Sequence, residues 1–236
     1  MRLSRSRIRR FLQTLAVEDK RILFKLAVWK FSHPLFNVYY IFEFDLARAH
    51  ELSPALLPAG ITIRLFRGER EISPLARLLV EAGLSAATVE QRMRRGDLVT
   101  LALTDDWKLA AYAWATFTGV WIPELCAGLP LRSDEAVRFD TLVMPRWRGR
   151  GLHYPLTVPV LRYLSEQGYR RTLVWVNALN TRSLKNQRWR GNRKLATIVS
   201  SPLLGLFHLR HVSPEADITL EKKKPSLTTV DALAKP

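Results

Sequence analysis

One stretch of the sequence constrains the fold more than any other, because it joins an apolar strand, a glycine turn and the start of a helix. Residues 140–151 read DTLVMPRWRGRG, and an amphipathic segment follows them. Glycine accepts a left-handed backbone, so Gly149 and Gly151 allow successive N–H groups to point into one concavity. The helix start adds unpaired amides and the positive end of its dipole. The stretch predicts an anion site for two phosphate groups, with an ordinary strand-to-helix turn as the alternative.

Other phosphate-binding motifs fit this stretch less well. A dinucleotide fingerprint needs a third glycine where this chain has Tyr154, and the Gly-Lys-Ser or Gly-Lys-Thr ending of a P-loop is absent from the sequence. In the helix after the turn, Pro159 removes one hydrogen bond and costs about 3 kcal/mol. We therefore expect this helix to start late, to be kinked or to begin with a distorted turn.

A specific resemblance rests on the spacing of three residues in this turn. The pattern Arg146-x-x-Gly149-x-Gly151 resembles the Arg/Gln-x-x-Gly-x-Gly/Ala signature of the GNAT superfamily of N-acetyltransferases. The residues that lead into it, from Val143 to Pro145, are similar to the fourth strand of that superfamily.

A second likeness lies downstream of this signature. The apolar residues 173–176 precede Asn180, Ser183 and Gly191, which resembles the fifth strand of the superfamily, its Asn-x-x-Ser/Ala pattern and a helix that ends in a glycine. The elements predicted before the signature are a strand, two helices, an antiparallel hairpin and a strand, and this order also agrees. The likeness covers about residues 60–215. It implies an α/β (α+β) fold with a mixed, mostly antiparallel central sheet flanked by helices.

The resemblance implies an acyl-CoA, most simply acetyl-CoA, as the co-substrate, and no metal. A strand end near Leu142 and Val143 would hydrogen-bond the pantetheine arm, with a backbone N–H there polarising the thioester carbonyl. The amides of residues 148–152 would hold the pyrophosphate. Asn180 and Ser183 would contact the cofactor arm, or they simply cap the next helix. The implied cofactor-binding residues are Leu142, Val143, Arg146, Arg148, Gly149, Arg150, Gly151, Leu152, Asn180 and Ser183.

The chain departs from the superfamily pattern at two positions. Many members have a tyrosine seven residues after the asparagine that corresponds to Asn180, where it protonates the departing thiolate. This chain has Gln187 at that position. A phenylalanine often follows the glycine that ends the helix, and here that residue is Asn192. The identity of the general acid is therefore open.

Direct acyl transfer to an amine needs a neutral nucleophile, a donor for the developing oxyanion and a route for the proton. Two carboxylates are candidate bases, Asp140 on the strand that enters the turn and Glu124 in the long connection before it. Each of them is alternatively a solvated or ion-paired carboxylate. The sequence does not identify the acceptor: we expect an amine of a small molecule or of a protein, with O-acylation as the open alternative.

The chain has a formal net charge of +16, which implies an acidic partner. Residues 1–32 carry nine basic and two acidic residues in an amphipathic helical pattern, which favours packing on the domain or contact with an anionic membrane. The basic run of residues 182–194, interleaved with Trp189, is typical either of a nucleic-acid contact or of a solvated helix face that attracts the 3′-phosphate of the cofactor. We prefer the second interpretation, with a nucleic-acid or membrane-peripheral module without catalysis as the alternative function.

Composition and patterning also predict where the protein works and how it is divided. A single Cys126 leaves no internal disulfide, and no apolar run reaches the roughly 18 residues of a membrane span. These features favour a cytoplasmic protein, with association at the inner membrane surface as an addition. We predict a basic amphipathic N-terminal extension over residues 1–45, an acyltransferase domain over 46–220 and a disordered tail over 221–236.

Overall fold

A computed structural model describes residues 36–53, 56–189, 191–201, 203–212 and 216–222. The predictions for the helical segment 1–32 and for residues 223–236 lie outside these residues. The strands are β1 (Asn37–Asp45), β2 (Ile61–Arg67), β3 (Leu98–Thr104), β4 (Leu109–Thr116), β5 (Val120–Ile122), β6 (Ala127–Leu129), β7 (Glu135–Val143), β8 (Arg171–Asn177), β9 (Arg193–Ser201) and β10 (Leu206–His211). The helices are α1 (Gly68–Ile72), α2 (Ala76–Glu81), α3 (Ala86–Arg94), α4 (His153–Glu166) and α5 (Thr181–Trp189).

Eight of the strands form one sheet in the order β10-β9-β1-β8-β7-β4-β3-β2. Neighbouring strands are antiparallel except for β7 and β8, which are parallel because the chain crosses over through α4 between them. This is the mixed, mostly antiparallel sheet that the sequence predicts. The single parallel pair lies near the middle of the sheet.

Helices cover the two faces of the sheet. On one face, α1, α2 and α3 pack with Leu79 and Val89 against Trp114 of β4. On the other face, α4 packs with Leu161 against Ala136 of β7. Strand side chains alternate between the two faces, so the layer that a residue joins follows from its position in the strand.

Strand β1 changes the domain boundary expected from the sequence. It pairs with β8 on one side and with β9 on the other, so residues 37–45 belong to the sheet and not to a separate extension. Ile41 and Phe44 are almost completely buried. The run of apolar and aromatic residues is typical of a strand buried on both faces.

The long connection predicted over residues 119–135 also contains regular structure. Strands β5 and β6 form a two-stranded sheet, joined by a 3-10 turn at Pro123–Leu125. Glu221 pairs with Gly128 through backbone hydrogen bonds of 2.7 and 2.9 Å, so the predicted tail begins with a residue that belongs to the fold.

Helix α4 carries the proline that the sequence marks as a disturbance. It begins at His153, directly after the glycine turn, and continues through Pro159 to Glu166. A late start of this helix, one of the three expected outcomes, is therefore wrong. Because Pro159 lacks an N–H, the carbonyl of Pro155 receives no helical bond from it. The unbroken course keeps the first turn of the helix next to the end of β7.

Candidate functional site

The two parallel strands separate over most of their length. β7 and β8 pair only from Glu135 to Val137 against Arg171 to Leu173. Beyond Val137 the strands diverge, and a cleft with a volume of about 1140 Å³ opens between them and continues to both faces of the sheet. The cleft has a closed end, where the strands pair, and an open end, where His153 lines it at the start of α4, two residues after the glycine turn.

A bulge in β7 lies on the edge of this cleft. The register between β4 and β7 shifts opposite Ala113, and Asp140 adopts a φ of 43° there. After the bulge, the amide of Met144 donates to the carbonyl of Ala110 at 2.9 Å. By strand alternation, the backbone groups of Leu142 also face β4, whereas those of Val143 point away from β4, to the side of β8. Neither residue is among those that line the cleft. Of the two predicted residues, only Val143 can therefore offer its backbone to a ligand.

The glycine turn has the curled backbone that the sequence predicts. A 3-10 turn at Pro145–Trp147 is followed by Gly149 and Gly151, with φ values of 79° and 75°. Within the described part of the chain, no group accepts a hydrogen bond from the amides of the four residues 149–152. The amide of Arg148 is the exception in the predicted set, because it donates to the carbonyl of Pro145 at 3.2 Å.

Positive charge accumulates around these amides. The guanidinium groups of Arg146 and Arg150 lie 5.9 and 4.9 Å from the ring centre of Trp147. Arg148 donates through Nε to the carbonyl of Val143 at 3.3 Å. The dipole of the 14-residue helix α4 adds to this field at its N-terminus. The turn therefore combines four donor amides with three cationic side chains.

The second predicted motif caps the helix that follows β8. The side-chain oxygen of Asn180 accepts from the amide of Ser183 at 3.1 Å, which confirms the capping interpretation for this pair. Both residues also line the cleft, so their contact with a cofactor stays a prediction. The basic residues at 182, 185 and 188 on α5 are solvent-exposed.

Gln187 lies where the superfamily pattern has a tyrosine. Its side chain is buried, and its Oε1 accepts a hydrogen bond from the side-chain nitrogen Nδ2 of Asn192. The backbone amide of Asn192 donates to the carbonyl of Gln187 as well, at 3.1 Å. Gln187 and Asn192, the two residues that depart from the superfamily pattern, are thus hydrogen-bonded to each other at the C-terminal end of α5.

The two candidate bases differ in their surroundings. Asp140 accepts from Arg92 at 2.7 Å and from the hydroxyl of Tyr112 at 3.4 Å. Glu124 lies in the 3-10 turn after β5 and lines the cleft, and within the described residues nothing donates to its carboxylate. Of the two carboxylates, only Asp140 is held by described side chains.

Sequence reasoning did not identify several residues of the cleft wall. Arg92 of α3 contacts the rings of Trp114 and Phe139 at 4.9 and 4.8 Å, and Trp175 of β8 stacks on Phe139. Arg138 is 8% exposed and also lines the cleft. A charged residue inside the apolar run of β7 is the signal that could have revealed Arg138. The others come together only through the sheet.

The described residues lack two kinds of feature. They contain no group of three or more His, Cys, Asp or Glu side chains placed to hold a metal ion. Over the same ranges, none of the helices has both the length and the apolar character that crossing a membrane requires.

Comparisons with known proteins agree with this geometry at the level of the fold. No protein-family model matches the chain, and no curated protein matches it. A tandem GNAT protein of the clavulanic acid biosynthesis pathway is similar at 18% identity and a TM-score of 0.52, covering 76% of this chain and 55% of its own. A GCN5-related N-acetyltransferase from Sphaerobacter thermophilus is similar at 16% identity and a TM-score of 0.50, covering 80% and 56%. The chain spans about half the length of these solved structures, and the likeness shows that it has the GNAT fold.

Proposed function

We propose that this protein is an acyl-CoA-dependent N-acyltransferase that moves an acyl group, acetyl in the simplest case, directly to an amine. The observation that carries the proposal is the combination of two splayed parallel strands with a turn of four amides that bind no described protein group. The GNAT fold supports a general acyltransferase function. The acyl group, the acceptor and the roles of individual residues are part of the proposal.

The residues of the turn fit the diphosphate of coenzyme A. A Cβ atom built on Gly149 or Gly151 meets no other atom within 4 Å, so the space beside the turn is open. The amides of residues 149–152 are the expected hydrogen-bond donors to the phosphate oxygens, and the N-terminus of α4 favours negative charge. The N–H of Val143, which points away from β4, is the expected donor to the thioester carbonyl.

Bound acyl-CoA supplies the activated carbonyl: the amine nitrogen attacks it, the C–S bond breaks, and coenzyme A leaves as a thiolate that takes up a proton. The protein has to accept the proton that the amine loses. Glu124 is the better placed base, because its carboxylate lies in the cleft without a donor among the described residues. Asp140 holds Arg92 in place against the aromatic wall.

The acceptor enters from the side of the cleft opposite α4. Glu124, Arg92 and Trp121 line this side, together with residues of the α2–α3 connection. Glu124, placed on this side, can take the proton from an amine of a small molecule or of a protein. Peripheral contact with an anionic membrane through residues 1–32, and a cytoplasmic location, remain parts of the proposal, whereas a nucleic acid is not an expected partner.

Ligand-dependent stabilisation tests the proposal. Acetyl-CoA should raise the Tm by an amount that grows with its concentration, corresponding to about 2.7 kcal/mol at 100 times its Kd. A turnover screen with acetyl-CoA across a library of amines then identifies the acceptor. An unchanged Tm at millimolar acyl-CoA, together with salt-sensitive binding of oligonucleotides or of anionic vesicles, would favour the non-catalytic alternative instead.

A further inference from the structure

Four neighbouring strands of the large sheet, β10, β9, β1 and β8, have their ends side by side next to the open end of the cleft. The register places Ser201 of β9 opposite Leu206 of β10, and Ser200 opposite Asn37 of β1. The amide of Ala178, directly after β8, donates to β1 at 2.8 Å. Because neighbouring strands lie about 4.8 Å apart, these ends form a continuous edge roughly 15 Å wide.

Large apolar side chains on this edge are exposed to solvent. Two of them lie in the turn between β9 and β10, and the other three lie at the strand ends beside it. Each is between 44% and 69% exposed. Clustered apolar surface of this kind marks a contact site more often than single exposed residues do. We call these five residues the apolar rim: Phe36, Leu179, Leu203, Leu204 and Leu206.

The chain on either side of the apolar rim is basic. From Asn177 to Val212 the sequence has seven Lys and Arg residues and neither Asp nor Glu. Arg182 and Lys185 lie in the first two turns of α5, which begins two residues after Leu179, and both are exposed. On the other side, residues 1–32, with nine basic and two acidic residues, precede Phe36 in the chain. The rim therefore combines exposed apolar side chains with positive charge.

Charge decides between the possible partners of the apolar rim. A second copy of the chain, or its own basic segment 1–32, would bring positive charge to a positively charged surface, and like charges placed together disfavour association. An anionic bilayer satisfies both features, because its headgroups attract Lys and Arg while its interface accepts leucine and phenylalanine side chains.

We infer that the apolar rim inserts into the interface of an anionic lipid bilayer, with the nearby basic side chains at the lipid phosphates. The inference adds a contact within the folded domain to the one proposed for residues 1–32, and it does not depend on acyl transfer. Asn180 lines the cleft next to Leu179, and Glu124, whose carbonyl accepts from Ser200 at 2.8 Å, lines it as well. Docking therefore places the acceptor side of the cleft close to the lipid headgroups.

Vesicle flotation with the full chain tests this inference. Phosphatidylcholine vesicles that contain phosphatidylglycerol should bind the protein at least about tenfold more tightly than vesicles of phosphatidylcholine alone, and salt should reduce the difference. Leu204→Asp should weaken binding to the anionic vesicles about tenfold, because it removes an apolar side chain from the interface and adds a negative charge there.

Val212→Asp is the matched control. Val212 is 57% exposed against 67% for Leu204, and it follows β10 at the end of the strand that is remote from the apolar rim. Both variants change the net charge equally, so the difference between their affinities measures the effect of position. Leu203→Asp, in the same turn as Leu204, replaces Leu204→Asp if that variant does not fold.

Several results would overturn the inference. Absence of binding to the anionic vesicles excludes a bilayer as the partner, and equal weakening by Leu204→Asp and Val212→Asp assigns the contact to another part of the chain. A dimer that dissociates in Leu204→Asp shows that a second copy covers the apolar rim. Without vesicles, a lower Tm for Leu204→Asp than for Val212→Asp shows that the chain covers the rim itself. Binding of acetyl-CoA, measured separately, tests the proposed function and is independent of these outcomes.

Discussion

The same two strands, β7 and β8, are built in opposite ways at their two ends. At the closed end, Arg171 donates to Glu135 at 2.8 Å, to Glu43 of β1 at 3.0 Å and to the carbonyl of Asp217 at 2.9 Å. The side chains of Arg171, Glu135 and Glu43 are all buried. At the open end the strands share no hydrogen bonds, and the amides of residues 149–152 bind no described group.

The difference separates the part of the molecule that holds the sheet together from the part that offers groups to a ligand. Burying charges costs free energy unless each one is paired, so the closed end tolerates little change. The open end keeps polar groups available, which is tolerated because residues 149–151 are exposed to solvent. Stability and binding should therefore respond to different substitutions.

The largest effect is expected at the closed end. Arg171→Met removes the guanidinium that joins the buried Glu43 and Glu135. Glu43 keeps Arg193 at 2.7 Å and Glu135 keeps Arg170 at 3.8 Å, so the free energy of unfolding should fall by about 3 kcal/mol, the lower end of the range for a broken buried pair. Arg77→Met is the control, because the side chain of Arg77 is 88% exposed and pairs with Glu81 at the surface, where such pairs contribute about 1 kcal/mol or less. Urea denaturation measures the free energy of unfolding of both variants. Equal losses would show that the buried network does not dominate this end.

The second effect is expected at the glycine turn. Gly149→Glu places a negative charge beside the proposed diphosphate site and should weaken acetyl-CoA binding roughly a hundredfold, since hydrogen bonds to charged groups contribute about 1.5–3 kcal/mol each. Gly168→Glu is matched, because Gly168 has a φ of 80° against 79° for Gly149, has the same open surroundings and lies at the far end of α4. Both variants carry the same backbone strain. Similar Kd values for the two would place the phosphates elsewhere.

The third effect distinguishes the two carboxylates on the acceptor side. Glu124→Gln should lower kcat about a hundredfold if its carboxylate is the base, which is the lower end of the usual range for proton transfer. Asp140→Asn should change kcat less than about tenfold and lower the Tm instead, because it weakens the hold on Arg92. Steady-state kinetics with an identified acceptor decides between them. The reverse order of effects would assign the base to Asp140.

The smallest effect is a pH dependence at the closed end. The hydrogen bond from Arg170 lowers the pKa of Asp134 below its ordinary value of 3.8. A carboxylate with a lowered pKa stabilises the fold above its unfolded-state pKa, and this contribution is lost as the pH falls through the folded-state value. The Tm difference between the unmodified protein and Asp134→Asn should therefore shrink from pH 6 toward pH 2. A constant difference would mean that the pair contributes nothing.

The sequence predicted the open end far better than the closed end. The curled backbone at Gly149 and Gly151 follows from local residue preferences, and so does the cap that Asn180 forms on α5. The network around Arg171 joins β1, β7 and β8 with the segment that contains Asp217, which lie far apart in sequence. Such contacts depend on strand order, which local periodicity does not specify.

Taken alone, the sequence determined the local elements: the strand that runs into a glycine turn, the helix that follows it and the class of fold. The tertiary structure decided that β1 lies inside the sheet, that Asp140 is bound to Arg92 and that Arg138 lines the cleft. The physical reason is that turns and caps are satisfied by neighbouring residues. Partners for buried charges are found only when distant strands meet.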